Sequence, residues 1–119
     1  MGCVLTRVPH GLSAGLACAL AWPAPAVADA ERGRVLLAHY QCGRCHLIPG
    51  VAGAAGTEGP NLAAFGRRSY IAGEVPNTPA ALAQWIVAPA ALVPTATMPA
   101  LGAGPDDARA MAAYLGRLK

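Results

Sequence analysis

Two cysteines and a histidine fall inside the hexapeptide QCGRCH, residues 41–46. Cys42 and Cys45 are three positions apart, and His46 directly follows the second. Three chemistries use such a set. A thiol–disulfide pair uses Cys-x-x-Cys beside a βαβ pattern. A zinc site uses it with further ligands elsewhere. Covalent haem attachment uses Cys-x-x-Cys-His, with both sulfurs bonded to the ring and the histidine on the iron.

No strand pattern precedes the motif, which speaks against the thiol–disulfide pair. A structural zinc site wants four ligands. Cys42, Cys45 and His46 supply three, and the adjacency of His46 to Cys45 makes a tetrahedral set awkward. The haem reading explains more: two thiols on one helical turn reach the two vinyl groups of one ring edge, and the next residue sits under the iron. An electron-carrying haem takes a second axial ligand, usually His or Met. The candidates are His39, Met98 and Met111. His39 is too near the motif to reach the opposite face. Met111 belongs to an apolar helical stripe, where methionine fills core space. Met98 lies between Pro94 and Pro99, on irregular backbone able to wrap the far side.

The chain that must position these residues has 119 residues and a net charge of +3. It is 55% hydrophobic but only 5% aromatic, so a core of small aliphatic side chains is expected to need a disulfide, a metal or a cofactor. Arginines are scattered, with Arg67-Arg68 the one adjacent basic pair, and nucleic-acid binding has little support. The start reads as an export leader: Arg7 and His10, the apolar run GLSAGLACALAW, then Ala26-Val27-Ala28 as a small-x-small cleavage site. The expected organisation is a signal peptide over 1–28 and one domain over 29–119. Cleavage removes Cys3 and Cys18, leaving Cys42 and Cys45 and no disulfide framework.

Within that domain the pattern predicts an all-α fold with long loops. DAERGRVLLAHYQC reads as a first helix capped by Asp29, with Val35, Leu36, His39 and Tyr40 at helical spacing. HLIPGVAGAAGTEGPNL is a Gly- and Pro-containing loop, NLAAFG allows one helical turn, and RRSYIAGEVPN is irregular. TPAALAQWIVAP is a helix with Thr78 as cap and Pro79 at its first position, and it stops by Pro89. AALVPTATMPALGAG is irregular. PDDARAMAAYLGRLK closes the chain as a helix with Met111, Tyr114, Leu115 and Leu118 as its apolar stripe.

Together CGRCH, GPNLAAFGRR, NTPAALAQWIVAPAALVPTATMPALG and DDARAMAAYLGRL resemble, in order, the motifs of class I c-type cytochromes. The likeness is to bacterial mono-haem domains, including those fused to cytochrome c oxidase subunits, and covers residues 30 to 118. It implies the cytochrome c fold: three to four short helices and long loops wrapped round one covalent haem. Cys42 and Cys45 would hold haem c by thioethers. His46 and Met98 would bind its iron. The Pro60 carbonyl would accept from the other nitrogen of His46. Arg67, Tyr70 and Asn77 would lie near the propionates, and Leu82, Trp85 and Ile86 would wall the distal side. Leu62 would pack on the proximal face, and Gly33 would cross the last helix at Tyr114. Ala96 stands where a propionate-binding Thr is common, with Thr95 and Thr97 as substitutes. A lysine ring is absent, Lys119 being the one lysine.

The implied function is electron transport without catalysis by a periplasmic mono-haem protein between respiratory partners: a terminal oxidase, a cytochrome complex or a dehydrogenase. No nucleic acid or small-molecule substrate is expected. The alternative is the haem electron-acceptor subunit of a periplasmic dehydrogenase. A haem peroxidase or gas sensor would need an open iron position, which Met98 opposes.

Overall fold

The structure, a computed structural model, describes residues 11, 20–22 and 24–119. Most of the expected leader therefore lies outside the described residues. Four helices carry the fold: α1 (Pro25–His39), α2 (Pro79–Val87), α3 (Pro89–Leu92) and α4 (Pro105–Gly116). Among the described residues none is long and apolar enough to cross a membrane.

α1 starts earlier than Asp29. Pro25 occupies its first turn, where a missing N–H costs nothing, and Ala24 is the N-cap, so Asp29 is an interior position. The residues of this extension are exposed, and Ala30 is the first buried one among the described residues. The buried stripe also differs from expectation. Ala30, Gly33 and Leu37 face inward, while Val35 is 57% exposed. At Gly33 the inward position is bare because α4 comes too close there for a side chain.

That approach is the closest at any described glycine. A Cβ on Gly33 would lie 1.9 Å from the Ala110 carbonyl oxygen and 2.9 Å from the Met111 nitrogen. The partner of Gly33 is therefore the Ala110–Met111 backbone and not Tyr114. Tyr114 instead donates its hydroxyl to the Pro49 carbonyl at 2.6 Å, tying α4 to the loop after the cysteine motif. A second clasp spans the same two helices: Tyr40 donates to Asp107 Oδ2 at 2.7 Å, and Arg32 pairs with the other oxygen of Asp107.

α2 forms as its sequence dictates. Thr78 Oγ1 accepts from the Ala81 N–H at 3.1 Å, Pro79 opens the helix, and Pro89 limits its end. Leu82 and Ile86, four apart, are buried together with Ala83. α4 has Asp106 and Asp107 in its first turn, where the helix dipole favours acids. Met111 and Leu115 of its stripe are buried, and Tyr114 and Leu118 are half-buried.

Two segments expected to be irregular carry structure. Tyr70–Ile71 pairs antiparallel with Val75–Pro76, a hairpin too short for alternation to register in sequence. Pro89–Leu92 forms a single helical turn just after α2, because proline is as good an opener as it is a stop. The turn expected in NLAAFG is a 3-10 turn at Phe65–Arg67, bonded to the chain end by the Gly66 N–H donating to the Leu118 carbonyl at 2.8 Å.

Two outcomes follow for stability. Gly33→Leu overpacks the α1–α4 crossing and costs about 1–3 kcal/mol or more, while Asp29→Ala and Glu31→Ala, at exposed sites, stay within about 1 kcal/mol. Thermal melts of the three variants check this, and an unchanged midpoint for Gly33→Leu refutes the crossing.

The second concerns pH. The hydrogen bond to Asp107 raises the Tyr40 hydroxyl above its ordinary pKa of 10.0, helped by desolvation and the Asp107 charge. A raised folded value means that the neutral phenol is favoured by folding. Its contribution is full below pH 10.0 and is lost as pH rises through the raised value. Tyr40→Phe should remove this component of the alkaline stability loss, read as a smaller fall in melting temperature above pH 10.0 relative to the parent.

Candidate cofactor site

α1 ends at His39, and the chain reverses through Gln41 in the left-handed conformation, φ 57°. The turn delivers Cys42–Arg44 as one 3-10 turn, with the Cys45 and His46 N–H groups both donating to the Cys42 carbonyl at 3.2 and 3.0 Å. Cys42 and Cys45 thus sit one turn apart as free thiols. Burial pushes the Cys42 thiol above its ordinary pKa.

The following loop returns beneath the motif and pins it. Gly56 donates to Gly43 at 3.0 Å, Gly59 to the Cys45 carbonyl at 2.7 Å, and Leu62 to the Leu47 carbonyl at 2.9 Å. His46 Nδ1 is 2.7 Å from the Pro60 carbonyl oxygen. A carbonyl only accepts, so Nδ1 carries the proton and Nε2 keeps its lone pair for an electrophile such as a metal. The ring is also held from below. A Cβ on Gly59 would lie 2.4 Å from His46 Cε1, so only glycine lets the backbone pass there.

These residues line a cavity of about 680 Å³ in the centre of the domain. Nine of the fourteen residues of the main core cluster, among them Leu37, Phe65, Leu82 and Met111, face this space. At ~24 cal/mol per Å³, a sealed hole of that size would cost about 16 kcal/mol. The whole stability of a domain is roughly 5–15 kcal/mol. The open mouth relieves part of this cost, but the fold still calls for an occupant. The wall suits a large, mostly apolar group that offers two electrophilic carbons to the thiols and a metal to the imidazole. The residues present therefore fit a haem.

The structure brings Cys42, Cys45, His46, Pro60, Trp85 and Met98 together on this one cavity. Leu62, Leu82 and Ile86 line it as well, and so do Thr95, Ala96 and Thr97. Arg67, Tyr70 and Asn77 are not among the residues of its wall. The 3-10 turn at 65–67 brings Arg68 to the wall and leaves Arg67 off it. Arg68 stacks its guanidinium over the Phe65 ring, 5.4 Å from the centroid, and donates to the Asn61 carbonyl. Asn77 braces the segment by donating to the Arg68 carbonyl at 3.0 Å and the Phe65 carbonyl at 3.3 Å. Tyr70 is 56% exposed on the hairpin. Met111 reaches the wall too, although it is fully buried.

Sequence reasoning missed Tyr40 and Glu58 on the wall. Tyr40 has the spacing of the first helix, whereas it caps that helix and lines the cavity. Glu58 sits in a Gly-rich loop whose path no periodicity reveals. Its one signal was position, two residues before Pro60.

The family model described as Cytochrome c matches residues 30–119. The chain is 36% identical over 91 residues to cytochrome c oxidase subunit 2 of Alkalihalophilus pseudofirmus, an alignment covering 76% of this chain and 26% of that protein. The chain thus spans about a quarter of the length of the curated relative it matches. No solved structure matches it. With a helical fold closed round a cavity that presents the Cys-x-x-Cys-His set, and with that match across the domain, the chain belongs to the cytochrome c family, whose members carry a covalently attached haem c with its iron and transfer electrons.

Proposed function

We propose that the chain is exported, loses residues 1–28, and works in the periplasm as a mono-haem carrier of single electrons. The observation that carries this reading is the convergence on one cavity of two free thiols, a histidine with Nδ1 held by Pro60, and Met98. Cys42 and Cys45 are assigned to the thioethers, His46 to the proximal iron position and Met98 to the distal one. All described residues ahead of Ala30 are exposed, so cleavage behind Ala28 removes none of the described core residues.

The haem supplies a one-electron couple. The protein's part is to hold it and tune it. His46 is kept in one tautomer and one orientation by Pro60 and Gly59. Leu82, Ile86 and Leu62 keep water from the wall, and low polarity there favours the less charged ferrous centre. A methionine thioether favours the same state. His46 and Met98 together would hold the iron and leave no position for a substrate, which favours a carrier over a catalyst. Arg68, the one arginine or lysine on the wall, replaces Arg67 as the candidate propionate neighbour.

The likeness to an oxidase subunit supports a terminal oxidase as one redox partner. A cytochrome complex or a dehydrogenase would serve as the other.

Holoprotein run on a denaturing gel should keep a haem-stained band. Loss of all haem to acid acetone extraction would sink the covalent attachment.

Oxidised holoprotein should show the weak near-infrared band of sulfur-to-iron charge transfer. Met98→Ala should abolish that band, open the iron to added ligands and lower the potential. Met111→Ala should keep the band and cost roughly 2–5 kcal/mol of stability, because its side chain is fully buried. The reverse pattern would give the ligand role to Met111.

A further inference from the structure

The charges of the domain are sorted along α4. Acids stand at its start, where Asp107 pairs with Arg32 and Asp106 with Arg109. Arg117 and Lys119 lie past its far end, about 18 Å away along the 12-residue helix. The 3-10 turn at 65–67 is fastened to that same end. The Gly66 N–H donates to the Leu118 carbonyl at 2.8 Å, and Lys119 Nζ donates to the Gly66 carbonyl at 3.1 Å. A Cβ on Gly66 would lie 2.2 Å from the Gly116 carbonyl oxygen, so the two backbones touch. This junction gathers Arg67 and Arg68 from one segment with Arg117 and Lys119 from the other, all four exposed. Among the described residues none of the four makes an ion pair, and no Asp or Glu occurs in 59–73 or 108–119. Arg68 reaches the cavity wall, so the cluster adjoins the cofactor site. Tyr70, two residues beyond Arg68, is 56% exposed.

We infer that Arg67, Arg117 and Lys119, with Tyr70 beside them, dock a carboxylate-rich face of a terminal oxidase. The inference rests on the reading of the chain as an electron carrier with an oxidase partner. Unpaired like charges held together repel one another, so folding gains nothing from this cluster; an outside anion does. Guanidinium forks match carboxylates in pairs of hydrogen bonds, and Arg and Tyr are the residue types that carry much of the binding energy in protein interfaces. Arg68 at the cavity wall places a partner seated here next to the cofactor. A lipid surface fits less well. The exposed large aliphatic side chains Leu20, Val27, Val35, Leu47 and Leu101 all lie outside both segments, so a membrane would meet charge with no aliphatic chain to insert.

The test follows oxidation of ferrous holoprotein by the detergent-solubilised terminal oxidase of the same organism, in stopped flow, as salt is varied. The wild-type rate constant should fall as salt rises. The double variant Arg67→Gln/Arg117→Gln removes two side chains that make no hydrogen bond among the described residues. It should lower the rate constant by about 3- to 10-fold near 0.1 M salt and flatten the salt dependence. Arg34→Gln/Arg109→Gln loses the same charge at the acidic end, more than the screening length of roughly 10 Å away, and should react like wild type. Tyr70→Ala should weaken the complex and leave the salt dependence as it is. The midpoint potential and near-infrared band of the patch variant should match wild type; a shifted potential would put Arg67 at the haem and overturn the docking role. Equal rates in wild type and the patch variant, or equal slowing in both double variants, would overturn it too. Loss of binding to phosphatidylglycerol vesicles by a patch variant that the oxidase still oxidises at the wild-type rate would make the occupant a membrane. Wild-type holoprotein that passes no electrons to the oxidase removes the oxidase reading and the docking surface together; transfer that ignores the patch variant removes the docking surface alone.

Discussion

The close approach of α1 and α4 at Gly33 is the contact on which the cavity depends. Gly33 touches the Ala110–Met111 backbone, and no side chain fits between the helices there. The crossing sets where α1 ends, and so where the chain turns through Gln41 into the cysteine motif. It also fixes the face of α4 that carries Met111 and Leu115 to the cavity. α2 packs on that same helix and supplies Leu82, Trp85 and Ile86 from another side. Tyr40, Arg32 and Asp107 lock the crossing at the end nearest the motif.

A consequence is a core organised around a hole. Eight of the nine Leu, Ile, Phe and Met residues of the main core cluster line the cavity. The low aromatic content noted in the sequence has the same cause: a domain with a macrocycle at its centre gets its apolar bulk from the cofactor. Covalent attachment suits this arrangement, because the group that completes the core is then never lost.

Much of the site was readable in the sequence because its parts are local. The Cys-x-x-Cys-His spacing, the Thr78-Pro79 start of α2 and the acidic start of α4 each act within one or two turns of backbone. What could not be read depends on contacts between distant segments. Val35 and Leu36 look like the inward face of α1, but the nearness of α4 selects Ala30, Gly33 and Leu37. Arg67 and Arg68 are adjacent and chemically alike, and only the 3-10 turn at 65–67 decides which one reaches the wall. The Tyr70–Pro76 hairpin is two residues per strand, below the length at which alternation has meaning. Glu58 was invisible for a similar reason: its approach to Cys45 is made by a loop closed through Gly59 and Pro60.

The central claim is that this cavity holds an iron between the imidazole of His46 and the sulfur of Met98. X-ray absorption at the iron edge of the holoprotein tests it most directly, since sulfur and nitrogen scatter differently and at different distances. The expected first shell contains one sulfur scatterer together with the nitrogens of ring and imidazole, in both redox states. A shell fitted by nitrogen or oxygen alone would contradict it, and with it the carrier function drawn from it.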